Sequence, residues 1–153
     1  MEWMKMAKAA EEMADAIRVL LRTFTVDESQ FPPGEGQIKY NGSDFQTLRF
    51  VQRRPSCRPA DIAAFLGVAP TTVQSVVDRL IKRHLLERRQ RESSKRDVSL
   101  FLTPQGEDVA EAIDRQDVSN CQHMLRVLPT EERAGFVKSL NKIARAFEAG
   151  GKS

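Results

Sequence analysis

Proline and glycine divide the middle of the chain into short segments, and their spacing limits the fold more than any other feature. Pro59 opens a stretch that ends at Gly67, and Pro70 opens the next stretch three residues later. Proline is favoured in the first turn of a helix, and glycine is favoured just after the last turn. The spacing therefore predicts two short helices, 59–66 and 70–84, joined by a tight turn.

The second of these helices has one apolar side and one polar side. Apolar residues recur at steps of three and four, which indicates a buried face made of Val73, Val76, Val77, Leu80 and Ile81. The opposite side is rich in hydrogen-bond donors and carries Thr71, Thr72, Gln74, Ser75, Arg79 and Lys82. A short helix, a turn and a second helix with a polar outer face are typical of a helix-turn-helix.

Two predicted strands follow directly. Residues 85–90 and 98–102 have strand character, the second partly because Val98, Leu100 and Leu102 alternate along it. The polar loop 91–97 between them includes three cations, Arg91, Lys95 and Arg96. Two short strands joined by a basic loop predict a β-hairpin wing beside the helix-turn-helix.

Amphipathic helices are predicted on both sides of this region. Residues 1–26 read as one long helix, because apolar residues alternate at steps of three and four from Trp3 to Phe24. A helix before the helix-turn-helix begins at Ser43, with Gln46 completing a capping box, and ends before Pro55.

Two further helices follow the wing. Thr103 caps the first of them, Pro104 occupies its first position and Pro129 ends it. The second buries an apolar stripe of Phe136, Leu140, Ile143 and Phe147. The fold class is therefore mainly α with a small β-hairpin, and 153 residues allow one domain with dimerisation helices.

The net charge of +3 hides a segregation along the chain. Residues 43–97 carry 12 basic and 6 acidic side chains, whereas 1–42 and 98–153 are each slightly acidic. A basic middle is the electrostatic footprint of polyanion binding, although a solvated face gives the same count.

Several classes of protein are disfavoured by what the chain lacks. Apolar runs reach only a few residues and no basic cluster leads into an apolar segment, so we expect a soluble cytoplasmic protein with no membrane contact. Two cysteines and two histidines have neither disulfide-framework nor metal-ligand spacing. No catalytic constellation or phosphate-binding loop is recognisable, so no enzyme, metal or cofactor is predicted.

An ordered series of short motifs runs through the middle of the chain: Ile62–Val68, Pro70–Val73, Val77–Leu80, Leu85–Arg89, Lys95-Arg96 and Leu102–Gly106. This series resembles the MarR (multiple antibiotic resistance regulator) family of winged-helix transcription regulators. The resemblance implies a winged helix-turn-helix at 43–102, an N-terminal dimerisation helix at 1–26 and C-terminal dimerisation helices at 103–149. Together these make one domain that spans 1–153.

The resemblance also implies a homodimer that binds a pseudo-palindromic operator in double-stranded DNA. Base edges are then read from the start of the helix at 70–84, by Thr71, Thr72, Gln74 and Ser75. Phosphates are held by Arg79, Lys82 and Arg83, and the minor groove receives Lys95 and Arg96 from the wing. The alternative is that the helix presents an ordinary solvated face and that the winged helix binds protein.

Control of such a regulator has two candidate routes. The resemblance implies a repressor that is released from DNA when it binds a small aromatic or lipophilic effector in a cleft. The candidates to line that cleft are Phe31, Tyr40, Phe45, Arg49 and Arg53. An ordinary core with solvated arginines is the other interpretation of those residues. Oxidant sensing would instead use Cys57, whose thiolate Arg58 and the following helix would stabilise, with Cys121 a weaker candidate.

Overall fold

The computed structural model of the protein describes residues 1–23, 25–27, 37–39, 42–90 and 97–150. Six helices and two antiparallel hairpins are present in this part of the chain. In chain order they are α1 (Glu2–Thr23), β1 (Thr25–Asp27), β2 (Gln37–Lys39), α2 (Ser43–Arg53), α3 (Pro59–Leu66), α4 (Pro70–Lys82), β3 (Leu86–Gln90), β4 (Val98–Leu102), α5 (Pro104–Val127) and α6 (Thr130–Gly150).

The chain forms two compact units, Met1–Arg115 and Gln116–Ser153, which divide within α5. The first unit contains the hydrophobic core, to which α2, α3, α4, the β3–β4 hairpin and the start of α5 contribute. Its largest fully buried side chains are Leu48, Ile62, Leu80, Leu85, Leu86, Leu100 and Ile113. The mainly α fold with a small hairpin, predicted from the sequence, is confirmed.

The helix-turn-helix forms where proline and glycine predict it. Helix α3 ends at Gly67, whose φ of 67° lies in the left-handed region that glycine adopts without strain. Its amide donates to Ala63 O at 2.9 Å and closes the last turn. Helix α4 then begins at Pro70 and buries Val73, Val76, Val77 and Leu80, as the sequence pattern predicts.

Helix α4 ends at Lys82, two residues before the predicted position, because the chain reverses there in a Schellman motif. The amide of His84 donates to Ile81 O at 2.9 Å, and the amide of Leu85 donates to Leu80 O at 2.9 Å. His84 has a φ of 61°, a conformation for which glycine is the usual residue. The reversal directs the chain into β3 one residue later than predicted.

The wing sheet includes a short third segment. Strands β3 and β4 pair antiparallel from Leu86 with Leu102 to Gln90 with Val98. Cys57, between α2 and α3, adds a β-bridge to Leu100: the Leu100 amide donates to Cys57 O at 2.8 Å. The wing is therefore hydrogen-bonded to the backbone that leads into the helix-turn-helix.

The junction between the wing and α5 is unusually close. The Thr103 amide donates to Leu85 O at 3.1 Å, and the Thr103 hydroxyl donates to His84 O at 2.6 Å and accepts from the Gly106 amide at 2.9 Å. A Cβ on Gly106 would lie 2.0 Å from Leu85 O. Only glycine lets α5 approach the end of α4 this closely, and the predicted Thr103 cap is confirmed.

Helix starts on the N-terminal side differ from the prediction. Gly42 is the N-cap of α2 and no side chain caps the helix, so the capping box predicted from Ser43 and Gln46 is wrong. Helix α1 ends at Thr23 rather than at residue 26, because the chain continues as β1, which pairs antiparallel with β2. This second hairpin was not predicted from the turn-rich segment.

The terminal helices have apolar residues that the structure leaves exposed. No residue of α1 or of α6 is buried, and large exposed side chains are Trp3, Met6, Met13, Ile17, Leu20, Phe136, Leu140, Ile143 and Phe147. Helix α5 differs, because Val109, Ala110 and Ile113 in its first half are buried in the core. The first part of the predicted dimerisation region therefore belongs to the winged helix.

No single helix in the described ranges is long and apolar enough to cross a membrane. Helices α3 and α4 reach that length and apolar content only when they are taken together, and the pair is bent by 114°.

Candidate nucleic-acid interface

The outer face of α4 is a continuous polar surface. Thr71, Thr72, Gln74 and Ser75 are all exposed on the first two turns, while the valines between them are buried. The Ser75 hydroxyl donates to Thr71 O at 3.3 Å, as expected for a hydroxyl one turn along a helix. The core thus holds α4 by its apolar side and leaves hydroxyl and amide groups facing outward.

Asp78 joins this surface to the wing. Gln74 Nε2 donates to Asp78 Oδ1 at 3.0 Å, one turn further along α4. The same Asp78 oxygen lies 2.6 Å from Nη2 of Arg88, which belongs to β3. One carboxylate therefore connects a predicted base-reading side chain to the wing.

Arg79 contacts a second carboxylate on the same surface. Its Nη2 lies 2.7 Å from Asp44 Oδ1, and its Nε lies 3.4 Å from Asp44 Oδ2, at the start of α2. This bidentate pairing raises the pKa of Arg79, chiefly through the hydrogen bond to Asp44 and then through its charge. Arg79 is thus fixed against α2, and its predicted phosphate contact stays a prediction.

The other predicted phosphate-binding residues differ in exposure. Lys82 is exposed at the end of α4 and has no ion-pair partner among residues of known placement, whereas Arg83 is half-buried and has a partner. Lys95 and Arg96 of the wing lie outside the described residues.

Cations continue along the described base of the wing. Arg89 lies over the Phe101 ring at 4.1 Å from its centroid and also pairs with Glu87 at 2.5 Å. Arg58 Nη2 lies 3.1 Å from Asp97 Oδ1 at the other strand. Arg58 and Arg89, whose side chains are 54% and 61% exposed, thus add two accessible guanidinium groups at the base of the wing.

Three of the five residues proposed to line an effector cleft, Phe45, Arg49 and Arg53, lie in the described part of the chain. Phe45 is buried in the hydrophobic core, which contradicts its assignment as a cleft-lining ring. Arg49 Nη1 pairs with Asp114 Oδ1 at 2.6 Å, and Arg53 is exposed. Phe31 and Tyr40 lie outside the described residues.

The environment of Cys57 opposes the predicted thiolate. Cys57 is buried, and this burial raises the pKa of its thiol from 9.0 to about 11, with the nearby Asp61 carboxylate adding to the rise. Arg58, expected to stabilise the thiolate, pairs with Asp97 instead. The expectation of a reactive Cys57 is therefore wrong, because a protonated, buried thiol is a weak nucleophile. Cys121 is exposed and unpaired among the cysteines.

Three charged residues of this surface were not singled out from the sequence. Asp44, Asp78 and Arg88 contact the predicted DNA-reading face from α2, from α4 itself and from β3. The spacing of four between Gln74 and Asp78 was the one available signal, because it places the two on the same side of a helix. The contacts of Asp44 and Arg88 depend on packing between elements.

The model of the MarR family matches residues 39–97, which include α2, α3, α4 and β3. Residues 39–97 of this chain are thus similar to MarR-family proteins. No curated protein sequence matches the chain.

Several solved structures share the fold over most of the chain. FabT of Streptococcus pneumoniae, solved in complex with DNA, is 20% identical over 94% of this chain and 97% of its own, with a TM-score of 0.74. PcaV of Streptomyces coelicolor, solved with its natural ligand, is 22% identical over 90% of each chain, with a TM-score of 0.59. RV1404 of Mycobacterium tuberculosis is 26% identical over 69% of this chain and 73% of its own, with a TM-score of 0.61.

Proposed function

We propose that this protein is a homodimeric repressor of the MarR family, which binds a specific sequence in double-stranded DNA and is released by a small-molecule ligand. The observation that carries the proposal is the exposed polar face of α4, held by a buried apolar face. Helices of this kind enter the major groove with their first residues against base edges. Thr71, Thr72, Gln74 and Ser75 are the proposed base contacts.

Phosphate binding is the proposed role of the cations around α4. Lys82 is exposed beyond the reading residues, and Arg79 and Arg83 are nearby on the same helix end. Lys95 and Arg96 of the wing are proposed to reach the minor groove. The net charge of +6 over residues 43–97 supports this assignment, because counterion release supplies much of the affinity for DNA.

Dimerisation is the proposed role of the terminal helices. A contiguous apolar stripe on an exposed helix marks an interaction surface. Trp3 of α1 is 78% exposed and Phe147 of α6 is 76% exposed, so both helices present such stripes to a second copy. A two-fold dimer pairs with an operator whose half-sites are about one helical turn apart.

Release by a ligand is supported by a neighbouring structure. PcaV, which shares the fold, was solved with its natural ligand. We propose that the effector of this chain is small and aromatic or lipophilic, and that Arg49 and Arg53 bind an anionic group of the effector. An oxidant-sensing role through Cys57 is not proposed, because that thiol is buried.

Selection from a random duplex library, followed by fluorescence anisotropy, tests the DNA-binding proposal. We expect a dissociation constant of about 10⁻⁸ M or tighter for a selected duplex and binding at least about 1,000-fold weaker to random duplex. Lys82→Ala should lower the slope of log affinity against log salt by about one. Arg96→Ala should weaken binding to the selected duplex.

Lys138→Ala is the matched control, since it removes one exposed cation from α6, a helix outside the predicted winged helix-turn-helix. It should leave both the affinity and the salt slope unchanged. Absence of binding to any duplex at low salt would contradict the proposal and favour a winged helix that binds protein.

A further inference from the structure

The side-chain amide of Gln74 has a defined orientation on the exposed face of α4. Nε2 of Gln74 faces Asp78 Oδ1 at 3.0 Å. A carboxylate paired with a guanidinium accepts hydrogen bonds and donates none, so the amide group turned toward Asp78 is the NH2 and not the carbonyl. The contact therefore distinguishes the two ends of the amide, which are otherwise free to exchange by rotation about χ3.

Asp78 is itself held from a second element. Arg88 Nη2 of β3 donates to the same Oδ1 at 2.6 Å, so the carboxylate bridges the helix and the base of the wing. A charge-assisted hydrogen bond of this kind is stronger and more directional than a neutral one. Asp78 is thus a fixed acceptor against which the Gln74 amide is oriented.

We propose that Asp78 is a positioning residue for base recognition, which holds Gln74 in the orientation that accepts adenine and rejects guanine. The inference rests on the proposed DNA-binding function of α4. Asp78, which touches no base, thus sets the base preference of Gln74, which does.

The preference for adenine follows from the hydrogen-bonding groups of Gln74 that the contact with Asp78 does not use. One Nε2 proton is used by Asp78, which leaves Oε1 and the second Nε2 proton of Gln74 for a base. Adenine offers the N7 acceptor and the N6 donor in the major groove, and these match the pair. Guanine offers two acceptors, N7 and O6, so its O6 would face Oε1 of Gln74. An amide free to rotate avoids that repulsion by turning its NH2 outward.

Removing Asp78 therefore has two separable effects. The Gln74 amide becomes free to turn, so discrimination between adenine and guanine falls. One negative charge also leaves the face that meets the phosphates, so affinity for random duplex stays the same or rises. A residue with a merely structural role would instead lower both affinities together.

The experiment uses the full chain and a duplex selected from a random library. The base pair read by Gln74 is the position at which Gln74→Ala loses its preference during selection. Anisotropy then gives the ratio of affinities for the selected duplex and for the same duplex with that A·T pair changed to G·C. For the wild type we expect a ratio of about tenfold or more, as for a bidentate base contact.

Asp78→Ala and Asp78→Asn should reduce that ratio to within about threefold of the Gln74→Ala ratio, while random-duplex affinity is maintained. The double variant Gln74→Ala with Asp78→Ala should lose no more than Gln74→Ala alone. Asp108→Ala is the control of equal charge, because Asp108 is exposed on α5 and is not among the residues proposed to bind DNA or to orient Gln74. It should keep the wild-type ratio. Thermal unfolding checks that each variant is folded, and the exposure of the Asp78–Arg88 pair favours this.

The outcomes separate the two proposals. If the wild type enriches no sequence, the proposed function fails. If it enriches a sequence but both Asp78 variants keep the wild-type ratio, or Gln74→Ala changes no position, the positioning role is overturned while DNA binding stands. A guanine at the Gln74-dependent position would also overturn it.

Discussion

Most apolar residues of the winged helix are buried, whereas the large apolar residues of the terminal helices are exposed. In the winged helix, leucines, valines and isoleucines from six elements meet in one core, and Leu80 is 0% exposed. In α6, Leu140 occupies an apolar stripe with the same spacing yet is 50% exposed. An amphipathic pattern therefore shows which face of a helix seeks apolar contact, but not whether its own chain supplies that contact.

The largest expected difference between the two regions is in core truncation. Leu80→Ala should lower the free energy of unfolding by about 3 kcal/mol, because a fully buried leucine leaves a cavity. Leu140→Ala should act on self-association, so its effect on the unfolding midpoint should depend on protein concentration. Urea unfolding at several concentrations measures both. An equal, concentration-independent loss in the two variants would contradict the comparison.

A glycine from each region gives the next contrast. Gly106→Ala should lower the free energy of unfolding by about 2–3 kcal/mol, since its Cβ would overlap the Leu85 carbonyl. Gly135→Ala in α6 meets nothing within 4 Å and should raise helix stability by about 1 kcal/mol. The two midpoints in urea should therefore move in opposite directions.

Burial of the Cys57 thiol makes the free energy of unfolding depend on pH. Folding raises the pKa of Cys57 from 9.0 to about 11, so its neutral form is favoured in the native state. The resulting stabilisation is complete below pH 9 and is lost as the pH rises toward 11, with a total of about 2 kcal/mol. Cys57→Val should lack this loss. Identical pH profiles of wild type and variant between pH 8 and 11 would rule out the shift.

The smallest expected effect is at the end of α4. His84 has a φ of 61°, so His84→Gly should relieve the left-handed strain and raise the free energy of unfolding by up to about 1 kcal/mol. The same change at Lys82, inside the last turn, should lower it by about 1 kcal/mol. Thermal unfolding of both variants measures the difference, and destabilisation by His84→Gly would be the contrary result.

Local sequence signals were sufficient for most of the winged helix. Pro59, Gly67 and Pro70 fix helix boundaries through their own backbone preferences, and the predicted bounds of α3 are those of the structure. The capping box at Ser43 failed because the N-cap is Gly42, one residue earlier. A cap depends on where the backbone leaves helical geometry, and sequence locates that point only to within a residue or two.

The exposed polar face of α4 could be predicted from the sequence, but the contacts between its charged side chains and other elements could not. The exposed residues of α4 follow from helical periodicity alone. Arg79 and Asp44 are 35 positions apart, so their pairing depends on how α2 packs against α4. The burial of Cys57 likewise follows from its bridge to Leu100 in the wing, and no neighbouring residue indicates it.

The carbonyl of Leu85 has a consequence for how the molecule responds to change elsewhere. It accepts the Thr103 amide and abuts Gly106, and the amide of the same residue donates to Leu80 O. The end of α4, the hairpin and the start of α5 therefore meet at Leu85. Because there is no room for even a Cβ between Gly106 and this carbonyl, the first turn of α5 cannot shift toward the hairpin without displacing Leu85.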